Sequence, residues 1–161
     1  MTWSKTKKLV ESNFAESVKG IVTVHLTKYR KSHDSSESEF RIHFDGKTIF
    51  KANSNKFDRY VYELRLLEPT LSKEERNAKA WDNGIYNTHS ALVGMMHWIN
   101  NKPADILQMD RRDITKAFLM LDKRFGKRSI EKFDPTNNEG PLTKQLFAIR
   151  QQLEKEKNNG K

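Results

Sequence analysis

The spacing of apolar residues changes period twice along the chain. Leu9, Val10, Phe14 and Val18 recur close to one helical face, which predicts a first helix with Ser4 as its cap and Gly20 as its stop. Trp3 enters it from the N-terminal side. From Ile21 to Tyr29 the period becomes two: Val22, Val24 and Leu26 alternate with Thr23, His25 and Thr27, the mark of a half-buried strand. Phe40, Ile42 and Phe44 repeat the alternation, and Asp45-Gly46 is a two-residue hairpin signal leading into Thr48-Ile49-Phe50. Between the first two strands, residues 32–38 are polar and turn-rich, and they are expected to form an exposed, mobile loop.

After Asn53 the helical period returns. Phe57, Tyr60, Val61 and Leu64 fit a helix although Tyr60-Val61-Tyr62 has strand propensity, and helix is the preferred reading of residues 56–68. Ser72 with Glu75 makes a capping box for a helix that runs through Trp81 to a stop at Gly84. Leu92, Met95, Met96 and Ile99 mark the next helix, closed by Asn100-Asn101 and Pro103. Ile114, Phe118, Leu121 and Phe125 predict a helix over residues 112–126. Pro141 opens the last one, whose buried face is Leu142, Leu146, Ile149 and Leu153, with a charged tail, 154–161, expected to fray.

This order predicts an α+β fold: an N-terminal helix and a small three-stranded antiparallel sheet, followed by a mainly helical C-terminal two thirds. The helices would cover one face of the sheet. The other, with His25, Arg41 and His43 in its register, would be wet. At 161 residues one domain is expected, with the sheet part in 1–52, the helical part in 53–153 and the tail beyond.

Composition narrows the function classes. There is no cysteine, which removes disulfides, Cys-based zinc sites and a thiol nucleophile. The basic N-terminus lacks an apolar stretch after it and no long apolar run occurs, so the expected location is the cytoplasm. Net charge is +9, and it is localised: residues 1–32 carry seven Lys or Arg against two Asp or Glu, and residues 102–132 carry nine against five. Such clusters favour polyanionic partners, although lysine-rich surfaces also simply keep proteins soluble.

Candidate chemistry is sparse. His25 and His43 could meet across the sheet beside Arg41 and Glu39, and His33 lies in the polar loop; these, with Arg41, are weak catalytic candidates. His89 and His97 are expected to be packing or surface residues. No metal-ligand spacing, nucleophile elbow or phosphate loop is present, so no cofactor or metal is expected. Trp81, Trp98, Tyr60, Tyr62 and Tyr86 could stack on bases, but burial is the commoner fate of such rings. On a helix over 112–126, Arg112, Lys116 and Lys123 would fall within about 40° of each other, opposite the apolar stripe. With Arg124, Lys127 and Arg128 beside them they would form a phosphate-binding ladder.

The blocks Trp3-Ser4-Lys5-Thr6-Lys7-Lys8, Ser17-Val18-Lys19-Gly20, Tyr29-Arg30-Lys31-Ser32-His33-Asp34 and Met120-Leu121-Asp122-Lys123-Arg124-Phe125-Gly126-Lys127-Arg128 resemble a group of small uncharacterised bacterial proteins. The resemblance implies a bacterial cytoplasmic protein and carries no activity, cofactor or catalytic residue with it. The residues themselves point to a non-enzymatic binding or accessory protein contacting nucleic acid without sequence preference. Two alternatives stay open: a protein-interaction module or homo-oligomer, using sheet edges or the face around Met95-Met96, and a small enzyme built on the histidines.

Overall fold

The computed structural model describes residues 2–30, 36–109, 114–136 and 139–160. In chain order the elements are α1 (Trp3–Ser12), β1 (Val22–Arg30), β2 (Ser36–Phe44), β3 (Lys47–Asn53), α2 (Ser54–Leu67), α3 (Lys73–Asp82), α4 (Thr88–Asn100), α5 (Pro103–Ile106), α6 (Ile114–Leu119), α7 (Lys127–Lys132) and α8 (Pro141–Asn159). The fold is α+β: an N-terminal helix, an antiparallel sheet in the order β1-β2-β3, and a mostly helical remainder. No helix among the described residues is long and apolar enough to cross a membrane.

Alternation explains the sheet. Val24 pairs with Ile42 and Leu26 with Phe40 on one face, while His25 opposite Arg41 and Thr27 opposite Glu39 occupy the other. The hairpin between β2 and β3 turns through Asp45 (φ 50°) and Gly46 (φ 75°), the left-handed pair that matches strand twist. The apolar face is closed by rings: Trp98 of α4 stacks on Phe118 of α6 with centroids 5.5 Å apart, and Phe118 meets Phe40 at 6.3 Å. α4 and α6 can approach closely because residue 94 is glycine; a Cβ there would lie 2.0 Å from Ile114 Cγ2. Buried residues from Val10 to Leu153 form one hydrophobic cluster. Both sheet edges are partly satisfied. The Val24 amide on β1 donates to Glu11 of α1 (3.1 Å), and the Asn53 amide at the end of β3 donates to the Tyr86 carbonyl (3.0 Å).

Local signals are met at several points. Residues 54–67 are helical, with the Asn53 side chain accepting from the Lys56 amide, and the Ser72–Glu75 capping box is closed in both directions. Elsewhere the structure corrects the expectation. α1 starts after Thr2, not at a Ser4 cap, and ends at Ser12, well before Gly20; Phe14 and Val18 reach the core from the turns that follow. The helix expected over 112–126 stops at Leu119. Phe118, Leu119, Met120 and Leu121 are all fully buried, and four successive residues cannot share one face of a surface helix, so the chain turns to bury them. The tail does not leave the helix at 154, because α8 continues to Asn159. Of the expected loop, residues 32–35, including His33, lie outside the described residues, and residues 36–38 belong to β2. The Met95–Met96 face is also not open: Met95 is fully buried.

Candidate functional site

The five described residues of the expected phosphate ladder do not converge on an open stripe. Arg112 lies outside the described residues. Lys116 is buried, its Nζ 2.7 Å from Glu139 Oε1, with the two side chains only 9% and 7% exposed. Lys123 leaves the helix altogether and donates from Nζ to the Ser12 carbonyl (3.1 Å). Arg124 folds back on the turn: Nε and Nη2 bind the Asp122 carboxylate, while Nη1 and Nη2 reach the carbonyls of Asn101 and Trp98 (both 2.9 Å). Lys127 and Arg128, on α7, stand exposed and have neither an ion pair nor a side-chain hydrogen bond among the described residues.

Two residues that periodicity treats as ordinary organise this region. Asp122 is fully buried and also accepts from Trp98 Nε1 (2.8 Å). Arg150 of α8, nearly fully buried, donates to the carbonyls of Met120, Asp122 and Phe125 and pairs through Nε with Glu154 Oε1 (2.7 Å), the same oxygen that accepts from the Ser17 hydroxyl (2.7 Å). Burial would raise the Glu154 carboxyl, but the hydrogen bonds from Ser17 and Arg150 outweigh it and keep the group below its ordinary value. A guanidinium offers five donors in a fixed fork, which suits the carbonyls of a buried turn. Within the basic cluster of residues 102–132, Lys116, Lys123 and Arg124 are thus engaged in holding the fold.

The sheet histidines do meet. His25 and His43 are diagonal neighbours on the polar face, with ring centroids 4.1 Å apart and planes 29° from parallel. Thr23 Oγ1 lies 2.9 Å from His25 Nε2, and Arg41 donates to Thr27 (2.6 Å) with its Nε 3.5 Å from Glu39. Burial lowers the His25 pKa, and Lys7, His43 and Arg41 push it the same way, all favouring the neutral ring. Among the described residues no carboxylate orients either ring, and no group of three or more His, Cys, Asp or Glu could hold a metal ion. His89 and His97 are exposed on α4.

A concavity of ≈ 400 Å³ lies beside this face. Tyr86 bridges to Ala52 at the free edge of β3, its ring 5.2 Å from that of Phe50, and three adjoining depressions surround it. The first, of ≈ 400 Å³, runs over Glu37, Glu39, Lys51, Asn53, Lys56 and Arg59. A second, of ≈ 270 Å³, continues past Lys51 and Lys56 to Pro141 and Gln145, and the third, of ≈ 290 Å³, ends at Trp81, Glu139, Gly140 and Lys144. Lys51, Lys56, Arg59 and Lys144 have no ion pair among the described residues. The acids beside them are engaged: Glu39 with Arg41 and Asn53, Glu37 with Asn53, and Glu139 with Lys116. Asp82 also lines the third depression and Glu37 meets a neutral amide, so the positive excess comes from Arg41 and Lys116, which pair with Glu39 and Glu139 from outside the lining.

Periodicity could have indicated part of this groove, since Lys51 sits at an exposed position of β3 and Lys56 and Arg59 share one face of α2. Nothing local indicates that Tyr86 docks on β3 or that α8 begins beside it. No curated protein and no solved structure matches the chain. The profile of the SF0329 protein family matches residues 2–151, and the chain belongs to that family.

Proposed function

We propose that this is a non-enzymatic binding protein that holds a single-stranded nucleic acid in the groove around Tyr86. The observation that carries the reading is the set Lys51, Lys56, Arg59 and Lys144, four cations without an ion pair among the described residues in three adjoining depressions around Tyr86. Unpaired cations in a groove attract phosphates by counterion release, without reading bases. Depressions of a few hundred cubic ångströms admit one nucleotide at a time, which favours an unpaired strand over a duplex. The stripe of residues 112–128 is not the contact surface in this reading. A bacterial cytoplasmic setting accords with the cysteine-free sequence and with the resemblance noted above.

Fluorescence anisotropy with a labelled single-stranded oligonucleotide tests it. Three or four phosphate contacts give a slope of log affinity against log salt of roughly −2 to −3, at about −0.7 per contact on single strands. The folded triple variant Lys51→Glu, Lys56→Glu, Arg59→Glu should lose binding at low salt, whereas Lys127→Glu with Arg128→Glu should bind as the wild type does. Unchanged affinity in the groove variant would refute the assignment.

A second reading, interaction with a protein partner, is supported by the outer side of α2, where Tyr62, Leu66 and Leu67 are 59%, 63% and 80% exposed. Mass that rises with concentration in sedimentation, and falls with Leu66→Glu, would favour it.

A further inference from the structure

The third depression contains two polar atoms that the fold leaves without a partner. Glu139 is 8% exposed and uses Oε1 for Lys116, but its Oε2 has no hydrogen-bond partner; Trp81 Nε1 is likewise buried and unpartnered. Both side chains line the same ≈ 290 Å³ cavity, together with Gly140, Pro141 and Lys144 at the start of α8. Buried polar groups are normally satisfied, and each orphan costs free energy that a ligand atom can recover. The cavity also opens at the N-terminus of a 19-residue helix whose Gly140 N-cap supplies no side-chain acceptor.

The chemistry of the two orphans restricts what fits. A carboxylate oxygen needs a donor, and an indole N–H needs an acceptor. A phosphate oxygen has no proton to donate to Glu139 and would be repelled by it, and an ammonium has no lone pair to offer Trp81. A hydroxyl does both. In a phosphate-linked strand held by Lys51, Lys56 and Arg59, the free hydroxyl that recurs at each residue is the ribose 2′-OH. We infer that the cavity formed by Glu139, Trp81 and the start of α8 is a ribose-hydroxyl subsite, so that the strand in the groove is RNA and not DNA. The 2′-OH donates to Glu139 Oε2 and accepts from Trp81 Nε1, while Lys144 and the first free amides of α8 face the neighbouring phosphate. This inference rests on the proposed function.

The test compares three short single-stranded oligonucleotides of one sequence, as RNA, DNA and 2′-O-methyl RNA, on the full chain at low salt. The 2′-O-methyl strand keeps the sugar pucker of RNA but has lost the donor, so it separates the hydroxyl from backbone shape without altering the protein. RNA should bind about tenfold more tightly than DNA, the scale of a hydrogen bond to a charged group, with the 2′-O-methyl strand falling to the DNA level. Trp81→Phe should remove the preference and leave DNA affinity unchanged. Equal, salt-sensitive binding of all three strands overturns the hydroxyl subsite and leaves the cationic groove standing. A preference for RNA that survives Trp81→Phe places the hydroxyl contact elsewhere and also overturns it. No binding of any strand overturns the groove reading itself, and the subsite with it.

Discussion

At the residue scale the histidine pair shows how far sequence alternation reaches. The register that places His25 and His43 on one face follows from period two, but the ring stacking depends on their diagonal pairing across β1 and β2, which no local signal announces. Because burial, Lys7, His43 and Arg41 all disfavour its charged form, His25 has a lower pKa in the fold than the ordinary 6.5. Its contribution to stability is therefore complete above the ordinary value and is lost as pH falls through the lower, folded one. Glu11 and Glu39, which pair with Lys7 and Arg41, moderate that repulsion. Urea midpoints of the wild type should decline from pH 7 to pH 5 more steeply than those of His25→Gln, which cannot titrate there. Parallel profiles would show that the stacked pair carries no such linkage. Asp122 is the other decisive residue. Sequence shows it only as one acid on a basic stretch, yet Trp98, Arg124 and its own turn depend on it. Asp122→Ala leaves the buried Trp98 N–H and the Arg124 fork unanswered and should cost about 3–5 kcal/mol in chemical denaturation. A loss below roughly 1 kcal/mol, the size of a surface ion pair, would contradict this role.

Elements proved legible where their signals are local and illegible where tertiary polar contacts decide. The hairpin at Asp45-Gly46, the capping box at Ser72 and the proline start of α8 are each complete within a few residues, and each is present. The end of α1 and the end of α6 are set by each other: Ala15 donates to the Leu121 carbonyl (2.7 Å) and Lys123 to that of Asn13 (3.0 Å), a contact spanning more than a hundred residues. The α4–α6 crossing depends on a similar long-range fit at Gly94. Gly94→Ala gains about 1 kcal/mol of helix propensity but drives a methyl into Ile114, an overpacking that costs about 1–3 kcal/mol, so net destabilisation is expected. The penalty should shrink on an Ile114→Ala background, where the obstructing Cγ2 is gone and the Thr115 amide nitrogen, 3.3 Å away, is the remaining close contact. A double-mutant cycle of unfolding free energies reads the coupling, and additivity within about 0.5 kcal/mol would mean that the helices can slide apart at no cost.

At the scale of the whole molecule, the fold class followed from alternation and turn chemistry because they report which face of each element is buried. The candidate site did not, because the groove joins residues near 50, 80 and 140 that only docking brings together. Charge counting misled for the same reason: it cannot separate a solvated lysine from Lys116 or from an arginine engaged in holding a turn. The C-terminal end of α8 gives the clearest test of that distinction. A charged tail is normally dispensable, but Glu154 ties α8 to Ser17 and partners the buried Arg150, which itself anchors residues 120–125. Removing residues 155–161 should change stability by no more than about 0.5 kcal/mol, as for most exposed segments. Removing one residue more, Glu154, strips a buried guanidinium of its carboxylate and should cost about 3 kcal/mol. For a chain of this size that lowers Tm by roughly 6–12 °C. Calorimetry of the two truncations therefore isolates a single side chain: equal melting temperatures would show that the carbonyls of the turn alone satisfy Arg150, and a large drop already at residue 155 would show that the last turns of the helix carry the stability instead.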